Sequence, residues 1–331
     1  MEAYKPPYTI SETMLELVSS ISEKIGRVIG RGELESRPHL RRNNRIRSIH
    51  SSLKIEANSL SLTEVRDVIN GRNVLGDPTE IREVKNAYRA YDEIRNADPY
   101  SLEDLKRLHG IMTEGIVAES GVFRRGAEGV FSGGKCIFIA PPPELVPSLM
   151  QDLFDWMKRS RETVHPLILS AVFHYEFVFI HPFADGNGRM ARLWHTVLLS
   201  NWREVFEYIS LESQIESFQE EYYEAIAKCH VNGNSDVFIE FMLRQIDRTL
   251  ENLLADSEKD GAGMNLYLPH LLAVMQYDIP YTAADLMEKL GLKSKETFRK
   301  NYMHPAIEQG FVIMTIPDKP TSRNQQYIRK V

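Results

Sequence analysis

Two apolar-rich stretches between His165 and Ser200 are interrupted once, by a glycine-rich break at 185–188, and no other feature constrains the chain as strongly. A helix entering that break cannot run smoothly through Pro182, because proline disfavours helical geometry in the residue before it. His181 is therefore predicted at a helix-to-loop junction. Gly186-Asn187-Gly188 places small residues where a backbone must turn tightly and a ligand can approach closely. Met190 to Leu199 reads as the next helix, so the loop opens onto a helix N-terminus, where free N–H groups and the dipole favour an anion. Arg189 and Arg192 share a face on its first turn. Cations are disfavoured there by the dipole, and two arginines make sense if a polyanion lies between them. Asp185 adds one hard oxygen, suited to a magnesium ion already bound to phosphates. The expected assembly is a triphosphate cradle with a histidine beside it.

Most of the remaining chain also reads as helix, which makes the fold class mainly α. A length of 331 residues is too great for one compact domain. A capping-box variant at Ser101-Leu102-Glu103-Asp104 opens a helix through Met112, and Thr79 to Tyr91 forms another, with Ile81, Val84 and Tyr88 on its apolar face. The one good strand signal before residue 250 is Val130–Ile139, a hairpin pattern around Ser132-Gly133-Gly134-Lys135. Asp256–Gly263 reads as a linker. Beyond it come a helix over Thr282–Leu290, a glycine turn at 291–293, a helix over Ser294–Gln309, and strands at Phe311–Ile316 and Gln325–Ile328. That is the order of a winged helix-turn-helix. The predicted division is an N-terminal helical region at 1–100, a core at 101–255, a linker at 256–264 and a C-terminal unit at 265–331.

Composition narrows the setting. No window approaches eighteen apolar residues, so no membrane span is expected, and the start lacks the layout of a secretory signal. Cys136 and Cys229 stand far apart without a CxxC spacing, which fits a reducing cytoplasm and argues against a disulfide framework or thiolate zinc site. A net charge of −6 argues against coating nucleic acid over the whole surface. Residues 265–331 nonetheless hold nine Lys/Arg against six Asp/Glu, with Lys293, Lys295, Arg299 and Lys300 clustered at the second helix. The run Arg37, Arg41, Arg42, Arg45 and Arg47 has no aromatic platform and reads as a solvated face. A metal site of His174, His181 and His195 lacks the pairing of helical zinc ligands.

One carboxylate falls on an apolar stripe. Ile46, Ile49, Leu53, Glu56 and Leu60 recur at three- and four-residue intervals, and an ionised glutamate among them requires a cation opposite. The arginine-marked cradle is the obvious source of that cation.

His181-Pro182-Phe183-Ala184-Asp185-Gly186-Asn187-Gly188-Arg189-Met190-Ala191-Arg192 resembles the Fic-family motif His-Pro-Phe-x-Asp/Glu-Gly-Asn-Gly-Arg-x-x-Arg at every defined position. The resemblance extends over roughly residues 5–250, including Pro6-Pro7-Tyr8-Thr9-Ile10. It implies a Fic-type helical bundle with a β-hairpin flap, followed by a winged helix, and a protein adenylyltransferase using ATP and Mg²⁺. In that scheme His181 is the general base and Asp185 the metal ligand. Gly186, Asn187 and Gly188 form the anion hole, Arg189 supports the β-phosphate and Arg192 the γ-phosphate, with Met190 and Ala191 between them in the nucleotide-binding segment. Ser52-Leu53-Lys54-Ile55-Glu56-Ala57-Asn58 resembles the family's inhibitory motif, in which the glutamate pairs with the second arginine, here Arg192. Ala57 stands where glycine is common, and alanine is expected to prolong the helix. The hairpin resembles the Fic flap, with Ile137, Phe138 and Ile139 as contact residues and Lys135 at its tip.

Tyr222 and Tyr223 stand where relatives place a tyrosine pair against adenosine, with His230 and Asn232 nearby, although tyrosines at helical spacing equally fit a core. The implied partners are ATP, a protein hydroxyl (on a target or on the chain itself) and DNA or protein at the winged helix, with a homodimer compatible. Alternative chemistries are removal of AMP, transfer of another nucleotide, or an ATP-sensing DNA-binding regulator.

Overall fold

The computed structural model describes residues 3–30, 38–132, 135–263, 267–308, 310–320 and 322–329, with backbone alone for 38–40, 130–132, 135–137 and 256–263. Arg37, the hairpin turn Gly133-Gly134 and the side chains of Lys135 and Ile137 lie outside the described residues. The chain forms two compact units, one gathering 3–30 and 41–252 and the other 38–40 with the described residues of 253–329.

The first unit holds helices α1 (Glu12–Gly30), α2 (Pro38–Ile55), α3 (Leu62–Ile69), α4 (Pro78–Asp92) and α5 (Leu102–Thr113). The hairpin β1 (Gly129–Ser132) and β2 (Lys135–Ile139) follows, then α6 (Val146–Ser160), α7 (Pro166–Ile180), α8 (Asn187–Trp202), α9 (Leu211–Ser217), α10 (Gln219–Asn232) and α11 (Asp236–Gly263). Its centre is α7, whose side chains from Leu167 to Phe177 are all buried. A helix apolar all round belongs inside a bundle, and α8 packs along it.

Local capping explains where several helices begin. Asp77 caps α4, accepting from Thr79 N at 2.7 Å with Pro78 in the first turn, so this helix starts before the expected Thr79. Its buried face runs through Val84, Ala87 and Tyr91. At α5, Ser101 accepts from Asp104 N at 3.1 Å, but the Asp104 carboxylate accepts instead from Asp98 N at 3.0 Å. The aspartate arm does not close the box. β1 and β2 pair antiparallel, with a register irregularity at Val130/Phe131. The backbone of 256–263, expected as a linker, continues α11. Glycine costs a helix only about 1 kcal/mol relative to alanine, so Gly261 does not suffice to end it.

The second unit contains α12 (Leu268–Val274), β3 (Pro280–Thr282), α13 (Ala283–Lys289) and α14 (Lys295–Thr297). The helix runs on through a π-helical turn at Phe298–Met303 into α15 (His304–Glu308), and β4 (Val312–Met314) and β5 (Gln326–Arg329) close the unit. Its sheet is antiparallel in the order β3-β5-β4. Thr282 and Asp285 form a reciprocal capping box at α13. The core comprises Leu268, Leu271, Met275, Leu286, Phe298, Tyr302, Met303, Ala306 and Val312. Sequence patterning missed α12 and the three-residue β3, which is too short to alternate. Among the described residues no helix is long and apolar enough to cross a membrane.

An N-terminal arm straps the first unit: Tyr4 donates to Glu176 at 3.0 Å, Ser235 N to Pro7 O at 3.0 Å, and Thr9 N to Asp236 at 2.7 Å. Burial on α7 pushes the Glu176 carboxyl up to about 7. Its neutral form is thus the one the fold prefers, so its contribution is complete below the unfolded value of about 4.3 and is lost as pH rises through about 7. Glu176→Gln preserves an acceptor for Tyr4 and removes the ionisation. Thermal melts across pH 4–8 will show a flatter profile for the variant and a gain of roughly 4 kcal/mol at most over the parent above pH 7. An unchanged slope contradicts this assignment.

Candidate active site

The site is assembled where α7 hands over to α8. α7 ends at Ile180, and His181 takes a left-handed conformation (φ 51°, ψ 58°), its N–H still bonded to Phe177 O at 2.9 Å. Proline at 182 does break the helix, but it yields a left-handed residue instead of the extended one it usually favours. Such a conformation costs a non-glycine residue about 1–2 kcal/mol. Arg124 holds it in place. Its Nε donates to His181 O at 2.6 Å, Nη2 to Ile180 O at 3.3 Å and Pro141 O at 2.6 Å, and Nη1 to Gly126 O at 2.8 Å. A guanidinium against the last carbonyls of a helix also suits the dipole.

The loop then closes on itself. Phe183 N donates to Asn187 Oδ1 at 2.9 Å, and Asn187 Nδ2 returns to Phe183 O at 2.7 Å. Asn187 therefore spends its side chain bracing the loop. The first bond of α8 runs from Met190 N to Gly186 O, so the N–H groups of Asn187, Gly188 and Arg189 lie ahead of the helical ladder. Gly186 has φ +80°, and a Cβ there would meet Thr113 at 3.1 Å. His109, unmarked by any sequence pattern, supports the loop from α5. Its Nδ1 accepts from Gly121 N at 2.9 Å, leaving Nε2 to donate to Asp185 O at 2.9 Å, and its ring stacks on Phe183 with centroids 3.6 Å apart. Burial lowers this imidazole to about 4 and keeps it neutral.

Both arginines point into the cradle and both meet carboxylates. Arg189 pairs through Nη1 with Glu83 at 2.8 Å and through Nη2 with Asp185 at 2.7 Å, while its Nε is buried without a partner among the described residues. Arg192, its side chain 1% exposed, pairs through Nη2 with Glu56 at 2.7 Å and also donates to Ser52 O and Ser52 Oγ, each at 3.0 Å. A Cβ on Gly188 would stand 2.3 Å from Glu56 Oε1 and 3.1 Å from Arg192 Nη1. The glutamate thus fills the space that the glycine keeps open.

α2 is held in this position by α9 and its approach. Ser48 donates to Glu212 at 2.6 Å, Ser51 meets Ser213 at 3.1 Å, and Lys54 pairs with Glu216 at 2.7 Å. Buried Glu212 also accepts from Tyr91 at 2.8 Å and Thr196 at 3.3 Å. On the polar side, Arg41 pairs with Glu207 and Arg45 with Asp92, so these two members of the basic run are ion-paired and only part-exposed.

Other expected site residues fall differently. Tyr222 is 2% exposed and meets His174 Nε2 at 3.0 Å, so its ring belongs to the core behind Arg192 and has no free face for a base. Tyr223 is 48% exposed and close enough to Glu56 and Arg192 to feel their charges. Phe138 of the hairpin stacks on His230 at 4.2 Å and lies 5.4 Å from Phe179, while Ile139 is exposed. His195 Nδ1 bonds Ser170 O at 3.1 Å inside the core. Burial lowers the His181 imidazole below its ordinary value. The Val178 carbonyl, Glu128 and Glu56 act against that, and Arg124 reinforces it.

The Fic/DOC family model matches residues 99–199, and the model of the Fic-like C-terminal domain (filamentation induced by cAMP protein) matches 268–328. A crystal structure of a Fic family protein from Desulfovibrio desulfuricans G20 is similar over 99% of this chain and 98% of its own, at 41% identity and a TM-score of 0.73. Among curated relatives, the protein adenylyltransferase Fic of Nematostella vectensis is 27% identical over 63% of this chain and 48% of that protein. The one of Drosophila erecta is 30% identical over 66% of this chain and 44% of that protein. The chain therefore spans less than half the length of these two relatives.

The end of α2 supplies a direct test of local strain. Alanine does not prolong the helix: α2 stops at Ile55 and Ala57 adopts φ +66°. Asn58 N bonds Leu53 O at 3.1 Å and Ala57 N bonds Lys54 O at 3.0 Å, the two bonds of a Schellman turn. Asn58 anchors that turn by donating to Glu83 at 2.8 Å. The tertiary bonds override the preference of alanine. Ala57→Gly relieves the left-handed residue and is expected to stabilise the protein by about 1 kcal/mol, measured by denaturant titration with an unchanged m-value.

Proposed function

The chain belongs to the Fic family, and on that premise we propose that it is a protein adenylyltransferase, transferring AMP from ATP to a hydroxyl side chain of a target protein or of itself, with Glu56 holding it inhibited. The observation that carries this reading is the Arg192–Glu56 pair at 2.7 Å, set over the glycine that would admit a phosphate. A nucleotide-binding cradle closed by its own carboxylate is a poor plan for a structural site and a good one for a restrained enzyme.

In the released site the N–H groups of Asn187, Gly188 and Arg189 donate to the phosphates, Arg189 supports the β-phosphate and Arg192 the γ-phosphate. The Asp185 carboxylate is half-exposed and offers one hard oxygen, which fits a magnesium ion that takes its remaining ligands from phosphates and water. Such an ion, when bound, neutralises charge on the departing pyrophosphate. His181 accepts the proton of the target hydroxyl, whose oxygen bonds the α-phosphorus as the bond to the bridging oxygen breaks and pyrophosphate leaves. Its lowered pKa keeps it in the accepting form at neutral pH. The half-exposed ring of Tyr223, rather than Tyr222, is available to the adenosine. The hairpin at 137–139 offers its edge to a target strand. With Glu56 in place, the γ-phosphate finds its guanidinium already engaged.

Intact-mass measurement after incubation with ATP and Mg²⁺ tests the proposal. Removal of one charge-assisted hydrogen bond of about 1.5–3 kcal/mol corresponds to a rise of roughly 10- to 100-fold in labelling for Glu56→Gly. The double variant with His181→Ala stays unlabelled. Absence of any AMP adduct on Glu56→Gly, or equal labelling of parent and variant, refutes it. In the Glu56→Gly background the acid limb of the rate–pH profile falls below pH 6.5, since burial lowers His181 and the opposing Glu56 charge is gone. A limb at or above 6.5 contradicts His181 as the base.

A further inference from the structure

We propose that the second unit docks on duplex DNA through the outward face of the helical stretch Lys295–Glu308, an inference that stands independently of the adenylyltransferase reading. Lys293, Lys295, Arg299, Lys300, Lys319 and Arg323 are all exposed, and none forms an ion pair with a described residue. In the first unit Arg41, Arg45, Arg89, Arg95 and Arg107 pair with carboxylates, while Lys85, Arg125 and Lys158 are exposed with no ion pair among the described residues. What sets the second unit apart is that four of its unpaired cations, Lys293, Lys295, Arg299 and Lys300, fall within eight residues of sequence.

That face is set by the unit's own packing. Phe298, Tyr302, Met303 and Ala306 turn inward to the core, which leaves Lys295, Glu296, Arg299, Lys300 and His304 outward. His304 pairs with Glu308, so among the described residues Glu296 is the one unpaired acid there. Lys295 and Arg299 are one helical turn apart and repel, each like-charge pair costing a few tenths of a kcal/mol. A polyanion laid along the face reverses the sign of that term.

The element order favours a duplex over an acidic protein. α13, a turn at Gly291 with φ +65°, and the stretch from Lys295 make a helix-turn-helix, and the second helix has no partner on its cationic side among the described residues. A helix about 10–12 Å across with its side chains fits a major groove about 12 Å wide. Arginine and lysine are the groups that meet phosphates and guanine edges there. Lys319 and Arg323 add exposed charge to the loop between β4 and β5.

Fluorescence anisotropy of the full chain with a labelled duplex of about two helical turns, titrated over a salt series, tests the proposal. Log affinity is expected to fall linearly with log salt. The triple variant Lys295→Glu, Arg299→Glu, Lys300→Glu should reduce the slope by about three, one for each phosphate no longer neutralised. Its melting temperature reports that the fold survives these exposed changes, and its AMP labelling serves as a control on the first unit. Glu296→Lys, which removes the acid on the face, tightens binding several-fold. No anisotropy change at low salt, an unaltered slope in the triple variant, or displacement by polyglutamate as effective as by unlabelled duplex at equal charge would overturn the assignment, the last giving the face to an acidic protein.

Discussion

A guanidinium removed from water must be met by hydrogen-bond acceptors and a negative charge, or the fold around it fails. Arg192 is in that position. Its side chain is almost entirely enclosed, and Glu56, Ser52 Oγ and Ser52 O meet its Nη2 and Nε. All three acceptors come from the last turn of α2 and the residue just past it, so the demand of one buried cation bears on where that helix ends and which way the Glu56 carboxylate points. The serine ladder to α9 and the shared acceptor Glu212 then hold the rest of α2 parallel to that requirement.

Backbone strain in the first unit gathers around the same centre. Among its described residues, the two non-glycine positions with positive φ are His181, at the exit of α7, and Ala57, just past Glu56. Each is held by several tertiary hydrogen bonds: Arg124 for the first, Asn58 with Glu83 and Glu80 for the second. Strain maintained by so many partners is characteristic of places where a side chain must be aimed and not merely accommodated. Glu83 links the two, since it accepts from Asn58 and pairs with Arg189.

Much of this was legible in the residues. The Pro182 break, the Gly186-Asn187-Gly188 turn and the paired arginines follow from local rules, and Glu56 betrayed itself as a charge on an apolar stripe. The order of helix, turn, helix and two strands near the C-terminus was visible in capping and turn residues, apart from α12 and β3. The supports were not visible. Arg124, His109, Glu83 and Glu212 are isolated polar residues with no periodicity, brought to the site by long-range contacts that no local window contains. Tyr222 illustrates the converse: its spacing fitted both a ligand wall and a core, and packing against His174 decided for the core. Ala57 shows tertiary bonds prevailing over propensity, and 256–263 shows polar composition persisting within a helix.

Arg124 has a mechanical consequence. One guanidinium grips Gly126, just before the first hairpin strand, Pro141, just after the second, and the carbonyl of the histidine itself. The two stems of the hairpin and the imidazole's backbone are therefore riveted at a single point. The position of either hairpin stem is thereby tied, through one side chain, to the backbone of His181.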